Sequence, residues 1–365
     1  MSAPVIDRFL RLVHERGASD LHLSVGRPPS MRLHGRIEPI PYRAQTDTEL
    51  TRLLQPVASS EVWNAFQRSG DADFAYELCG VARFRVNLFR QERGMGAVFR
   101  IIPSKILTVE QLGLPSAVRA LASLRSGLVL VTGPTGSGKS TTLASLVNEI
   151  NGTRSAHIVT IEDPIEFVHP TRSSVFSQRE IGTHSNSFSA ALRAATREDP
   201  DVILVGEMRD LETVEMALRA AATGLLVLGT LHTNSAAKTV DRIINVFPTE
   251  RQPSARGMIG NALRAVVAQQ LLPRKGGGRV PAFELLIAVP SMATAIREGK
   301  THQLASLIQM GKRLGMMTMD ESLKKLVVDG VVDPADAFEK ALGKDDFRKW
   351  MKEHGDSVPP DVGED

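Results

Sequence analysis

Eight residues, Gly133-Pro134-Thr135-Gly136-Ser137-Gly138-Lys139-Ser140, constrain this fold more than any other stretch of the chain. They fill every fixed position of the pattern G-x-x-x-x-G-K-S/T. Its glycines let the backbone curl so that successive N–H groups face one point, which suits an anion. Lys139 has the reach for the β- and γ-phosphates of a nucleotide, and Ser140 offers a hydroxyl to Mg²⁺. An apolar run at residues 128–131 stands just before the loop, and a helical pattern at 141–150 follows it. The loop therefore joins a buried strand to a helix whose positive dipole end faces the same anion.

From residue 127 onward, strand-like runs alternate with helical ones. The strands are read at 128–131, 158–161, 202–205 and 226–231, and the helices at 141–150, 188–196 and 213–222. Such alternation predicts an α/β domain with a parallel sheet covered by helices. Residues 291–353 read as helical only, with Asp333-Pro334 as a helix start: a capping side chain, then proline at the first helical position. Before residue 105 a smaller α/β unit is expected. It has a helix over 5–16, alternation at Leu21, Leu23 and Val25, and a second strand at Met31, Leu33 and Ile37 interrupted by Gly35. Paired strands are then expected around a Gly94-Met95-Gly96 turn. The expected divisions are 1–104, 105–290, a helical region 291–355 and a disordered tail 356–365, with residues 103–105 opening a linker.

A length of 365 residues fits two or three domains and supports a core without disulfide staples. Cys79 is the one cysteine, which excludes an internal disulfide and a multi-cysteine zinc site and fits a reducing compartment. No apolar run approaches the roughly 18 residues of a spanning helix, and the charged start of the chain has no signal-like stretch. Secretion and membrane spanning are not expected. With 44 basic and 41 acidic residues, the net charge of +3 gives no electrostatic case for nucleic acid.

A nucleoside triphosphatase also needs a carboxylate near the γ-phosphate. Gly206-Glu207 closes the buried strand 202–205, and ligands bind at the carboxyl ends of strands in open α/β sheets. Glu207 is therefore the candidate for activating the attacking water, against the alternative of a solvated loop carboxylate. Asp201, at the other end of that strand, reads as structural. Glu162-Asp163-Pro164-Ile165-Glu166 also follows a strand; one of these carboxylates is a candidate support for Mg²⁺ or water, or the cluster is merely solvated. His232 ends the strand 226–231, either as a γ-phosphate sensor or as a satisfied polar residue. Arg83, Arg85, Arg90, Arg93 and Arg100 concentrate in the last stretch of the N-terminal unit. They serve as arginine fingers, bind nucleic acid or form the charged face of a hairpin. Only Phe84, Phe89 and Phe99 interleave, and two of these look core-facing, which weakens base stacking. Met310, Met316, Met317 and Met319 read as gap-fillers in a helical core.

Taken in order, the glycine loop, Ile161-Glu162-Asp163-Pro164-Ile165-Glu166-Phe167-Val168-His169, Glu198-Asp199-Pro200-Asp201 running to Gly206-Glu207-Met208-Arg209-Asp210, and Gly229-Thr230-Leu231-His232-Thr233 resemble four motifs of the bacterial secretion ATPases. These are the Walker A, Asp box, Walker B and His box. The chain is most similar to the retraction ATPases of the type IV pilus, from Ala18-Ser19-Asp20-Leu21-His22 to Gly315-Met316-Met317-Thr318-Met319-Asp320. The resemblance implies a PAS-like N-terminal domain, a RecA-like P-loop ATPase domain with a helical C-terminal region, and a homohexamer. It implies ATP and Mg²⁺ as cofactors, with ATP held by Gly133, Pro134, Thr135, Gly136, Ser137, Gly138, Lys139, Ser140 and Thr141. It assigns Glu207 to the attacking water, Glu166 and His232 to the same site, and Arg85 and Arg100 to delivery from the N-terminal domain. The implied partners are an inner-membrane platform protein and the pilus assembly machinery, at the cytoplasmic face of the inner membrane, with no direct nucleic acid. The chain departs from the family at Leu225, where a histidine usually follows Thr-Gly, and at residues 291–298, where only half of an A-I-R-N-L-I-R-E stretch survives. The implied function is pilus retraction driven by ATP hydrolysis. The alternatives are pilus extension or type II secretion, whose ATPases commonly carry a four-cysteine zinc element, and a hexameric nucleic-acid translocase.

Overall fold

The computed structural model describes residues 5–33, 35–102 and 106–355; the linker expected at 103–105 and the tail expected at 356–365 lie outside them. The chain forms two compact units. One takes in the described residues through 102 together with Pro164–Val168, and the other takes in Ile106–Asp163 and everything described from His169.

In the N-terminal unit the strands are β1 (Asp20–Ser24), β2 (Ser30–Leu33), β3 (Arg36–Pro39), β4 (Asp71–Leu78), β5 (Ala82–Gln91) and β6 (Gly94–Ile102). They pair antiparallel in the order β3-β2-β1-β6-β5-β4. Along β5, Phe84, Val86 and Leu88 are fully buried while Arg85 between them is exposed, the period-2 pattern of a sheet with one covered face. That face packs on the helices Ile6–Glu15, Asp47–Leu54 and Ser60–Ser69 through Leu10, Leu54 and Phe66. Two turn expectations change. Gly35, at φ +83°, joins two short strands, β2 and β3, instead of interrupting one. Gly94-Met95-Gly96 opens β6, and the turn is Glu92-Arg93. Gly96 is glycine because the Phe89 ring lies across it, 2.5 Å from where a Cβ would stand.

The second unit is built on β7 (Gly127–Thr132), β8 (His157–Glu162), β9 (Val175–Glu180), β10 (Val202–Val205), β11 (Leu226–Leu231), β12 (Leu263–Pro273) and β13 (Arg279–Ile287), ordered β13-β12-β7-β11-β10-β8-β9. Neighbours are parallel except for the β12–β13 hairpin. Every residue of β7, β10 and β11 is buried, as expected of parallel strands covered on both faces. Leu128 and Leu130 face the helices Phe188–Ala195, Leu211–Ala222, Ala236–Val246 and Gln252–Ala262. Val129 and Val131 face Leu143, Leu146, Val147 and Ile150 of the helix Lys139–Thr153.

The C-terminal helices Met319–Val328, Pro334–Lys340 and Lys344–Glu353 close a further small core on the β12–β13 hairpin, centred on Leu272, Leu323, Phe347 and Met351. Asp333 caps its helix by accepting from Ala335 N, as its sequence suggests. The region is not purely helical, because Met317 bridges Leu285 of β13. Met316 and Met319 are buried, as a gap-filling role requires, whereas Met310 is 79% exposed and packs nowhere in that core. Among the described residues no helix is long and apolar enough to cross a membrane.

His169 opens the return into the second unit and is buried, with its ring stacked on Phe176 at 5.0 Å. Its Nδ1 has no hydrogen-bond partner among the described residues. Burial therefore lowers the imidazole to about 4, since the charged form is poorly solvated there. The folded value lies below the unfolded one near 6.5. The resulting stability is complete above pH 6.5 and is lost as pH falls toward 4. Wild type should lose a few kcal/mol over that window, and His169→Phe should lose less. Urea melts of both proteins at a series of pH values check this; identical slopes would refute it.

Candidate active site

Four strand ends converge on one edge of the second unit's sheet. Parallel pairing sets Thr132 opposite Leu231, and Val205 opposite both Gly229 and Ile161. The loop after β7, His232 after β11, Glu207 after β10 and Glu162-Asp163 at the end of β8 therefore leave the sheet on the same side.

The loop after β7 is curled by glycines. Gly133, Gly136 and Gly138 have φ of +148°, +78° and +88°. A Cβ on Gly133 would stand 2.2 Å from the Gln269 carbonyl oxygen, and one on Gly138 would stand 2.8 Å from Gln269 Nε2. Lys139 is buried and its Nζ donates to the carbonyls of Gly133 and Pro134 at 3.0 and 3.1 Å. Its charge is thus held within the curl, where a phosphate oxygen is a stronger acceptor than a peptide carbonyl. Ser137 Oγ is buried in the same loop without a hydrogen-bond partner among the described residues. A cradle that admits no Cβ, a buried ammonium and an orphaned hydroxyl fit an oxygen-rich anion such as the phosphates of ATP. Among the described residues no three His, Cys, Asp or Glu side chains form a metal cage. A Mg²⁺ ion bound mainly by phosphate oxygens and water asks for none, and the hydroxyl of Ser140 would be the loop's ligand to such an ion.

Gln269, on β12, braces this loop and was not singled out from the sequence. Its Nε2 donates to Ser137 O at 2.7 Å, and its Oε1 accepts from Thr142 Oγ1 at 2.8 Å, all out of solvent. One amide thereby ties the loop to the first turn of its helix. A polar pair, Gln269-Gln270, between the apolar residues 265–268 and 271–272 is the signal that marks it.

The second cluster centres on Glu207. His232 Nε2 lies 3.0 Å from Glu207 Oε1, and Arg209 Nε bonds the same oxygen. The carboxylate holds the Arg209 guanidinium above its usual range, and Asp163 adds to the effect. The backbone is fixed as well: Thr230 Oγ1 donates to Gly206 O, and Met208 N donates to Thr230 O. Asp210 then caps the helix Leu211–Ala222 through Thr213 N and Thr213 Oγ1. The structure thus brings Glu207 and His232 together and makes the histidine a direct partner of the carboxylate. Asp201 accepts from His157 N at the far end of β10, in keeping with its structural reading.

Glu162 accepts from Thr160 Oγ1 and Gln178 Nε2. Glu166 belongs to the N-terminal unit, where it lines a groove with Glu77, Ala82, Arg83 and Ile102. Arg85 and Arg100 stand directly opposite each other on β5 and β6. Such a like-charge pair is unfavourable alone, and two carboxylates relieve it. Arg100 Nε donates to buried Asp20 at 2.8 Å, and Arg85 Nε lies 3.7 Å from Asp73. Burial alone would raise the Asp20 carboxyl, but hydrogen bonds from Ser19 and Arg100 hold it below its usual range. Leu225 precedes β11 and packs on the core at the edge opposite His232.

The family described as "Type II/IV secretion system protein" matches residues 2–327. The type IV pilus retraction ATPase PilT of Pseudomonas aeruginosa is 49% identical over 342 residues, covering 94% of this chain and 99% of that protein. A twitching motility protein of Neisseria gonorrhoeae is 50% identical over 314 residues, 86% of this chain and 84% of that protein. Among solved structures, the pilus retraction motor PilT with bound ADP superposes with a TM-score of 0.87 at 46% identity, covering 93% of this chain and 98% of that one.

Replacing Gln269 by Leu keeps the side-chain size but leaves Ser137 O and the Thr142 hydroxyl buried and unpaired. Each loss costs about 1–3 kcal/mol. Gln269→Leu should therefore bind ATP at least roughly tenfold more weakly, while retaining the wild-type far-UV spectrum. Calorimetric titration with ATP checks it; unchanged affinity would show that the brace is not needed.

Proposed function

The chain belongs to the type II/IV secretion system protein family, and we propose that within it the chain is an ATP-hydrolysing motor that retracts the type IV pilus. The observation that carries this reading is the near end-to-end match to a retraction ATPase, over 99% of that protein's length. The geometry of the second unit supports the hydrolytic half. Lys139 and the N–H groups of the glycine loop bind the β- and γ-phosphates and neutralise charge. Glu207 orients and deprotonates the attacking water, and His232 and Arg209 hold its carboxylate in place. Mg²⁺, with Ser140 among its ligands, supplies further neutralisation of phosphate charge when bound.

The assembled motor is read as a homohexamer at the cytoplasmic face of the inner membrane, acting on a pilus platform protein. In this reading Arg85 and Arg100 complete each nucleotide site from the N-terminal domain, and Glu166 supports it. Each guanidinium is held by a carboxylate, Arg100 by Asp20 and Arg85 by Asp73, and a phosphate is an anion to which such a guanidinium can transfer. Closure on ATP and opening after hydrolysis would move the domains, and that motion would release pilin into the bilayer.

Deleting the gene should leave cells with abundant pili that do not retract; bald cells would instead indicate an extension motor. Wild type should restore retraction. Lys139→Ala should not, because it fails to bind ATP, and Glu207→Gln should not, because it binds ATP without turning it over. Titration of ATP and phosphate release on the purified variants separate the two defects, and wild-type turnover in Glu207→Gln would remove its assigned role. Arg100→Ala should lower turnover much more than ATP affinity, because fingers act on charge developing in the transition state. Equal loss of both would count against the finger reading.

A further inference from the structure

Glu284 lies on β13 and is 5% exposed, a buried carboxylate with no part in the site as described so far. It accepts from Ala236 N at 2.6 Å, and the backbone N–H of Met319 also favours its charged form. Ala236 is the first residue of the helix Ala236–Val246, and Met319 is the first residue of Met319–Val328. One carboxylate thus receives the positive ends of two helices from distant parts of the chain, which offsets the cost of burying its charge. Burial pushes this carboxyl up, and the two N–H groups oppose that. Neither helix lacks a cap of its own. Ser235 accepts from Lys238 N, and Thr318 and Glu321 form a reciprocal box. Glu284 therefore adds a clamp to helix starts that are already capped.

The clamped turn of Ala236–Val246 is wired to both halves of the active site. Thr239 Oγ1 donates to Ser235 O at 2.7 Å, accepts from Thr233 Oγ1 at 2.7 Å and lies 3.4 Å from Thr132 Oγ1. Thr233 follows His232 directly, and Thr132 immediately precedes Gly133 of the phosphate loop. This helix start thus touches the residue that directly follows His232.

We propose that Glu284 is a positioning residue for ATP hydrolysis. It fixes the first turn of Ala236–Val246 so that His232 stays seated on Glu207, and it links that turn to the C-terminal helix Met319–Val328. This rests on the reading of Glu207 as the residue that handles water.

Glu284→Gln preserves shape but removes the charge and sets an amide N–H₂ against one of the two backbone donors. Steady-state ATP hydrolysis by the full-length protein, normalised to sites titrated with ATP, should show kcat lowered roughly tenfold or more with KM within about twofold of wild type. Glu284→Asp, which keeps the charge on a shorter arm, should recover part of the loss. Thr239→Val removes the hydroxyl wiring without touching the carboxylate and should reproduce the same split. A purely structural role would lower the melting temperature and the number of titrated sites while leaving kcat per site unchanged. Wild-type kcat per site in Glu284→Gln would overturn the proposal; if that variant does not fold, wild-type kcat per site in Thr239→Val would do so. Glu207→Gln, measured alongside, separates the two readings. If it turns over normally, the site assignment itself fails. If it is inactive while Glu284→Gln and Thr239→Val are normal, only the positioning role fails.

Discussion

Everything at the active edge depends on the register of β7, β11, β10 and β8. The side chains of these strands divide between two apolar cores, Leu128 and Leu130 into one, Val129 and Val131 into the other. A one-residue slip would exchange the two sets and bury each against the wrong helices. Packing on both faces therefore locks Thr132 against Leu231 and Val205 against Gly229. The placement of Glu207 and His232 beside the phosphate loop follows from that lock. The apolar interior does the positioning, and the polar residues act from the ends of strands that cannot move.

Three buried polar side chains of the second unit each connect separate elements. Gln269 joins β12 to the phosphate loop and to its helix. Thr239 joins the base of the loop to the residue after His232. Glu284 joins β13 to two helix starts. A buried polar group left unpaired is costly, so these connections hold the site in one arrangement and resist the partial shifts that apolar contacts tolerate. The N-terminal unit uses charge differently. Its sheet opposes Arg85 to Arg100 and balances them with Asp73 and Asp20, so the arginines are held by partners that a stronger anion can replace.

Legibility in the sequence followed how local each signal was. The buried strands at 127–132, 202–205 and 226–231 stand out because parallel strands covered on both faces are nearly continuous apolar runs. β3 has four exposed residues, β9 is mostly polar, and β12 carries Arg264, Gln269 and Gln270, so no run or clean alternation announces them. The hairpin at 82–102 was recognisable, but its turn was misplaced because Gly94 and Gly96 serve strand packing. Among the site residues, those within a motif or at the end of an apolar run were readable. Gln269 was not, because its hydrogen-bond partners, Ser137 and Thr142, lie more than a hundred positions earlier. The opposition of Arg85 and Arg100 is a property of register, which spacing alone does not reveal.

The departure at Leu225 takes on a different meaning once the strand is in place. Along the chain, the family's usual histidine is replaced by Leu225 seven positions before the candidate sensor His232. In the fold the two positions flank β11, and seven steps of about 3.3 Å separate them by roughly 23 Å. Leu225 packs on the core beside the start of the sheet, and its carbonyl accepts from Gly127 N at 2.9 Å. A histidine at that end of the strand points away from the edge where Glu207 and Lys139 lie. The leucine therefore leaves the phosphate-side edge of its own subunit unaltered, and at that edge His232 lies against Glu207 at 3.0 Å.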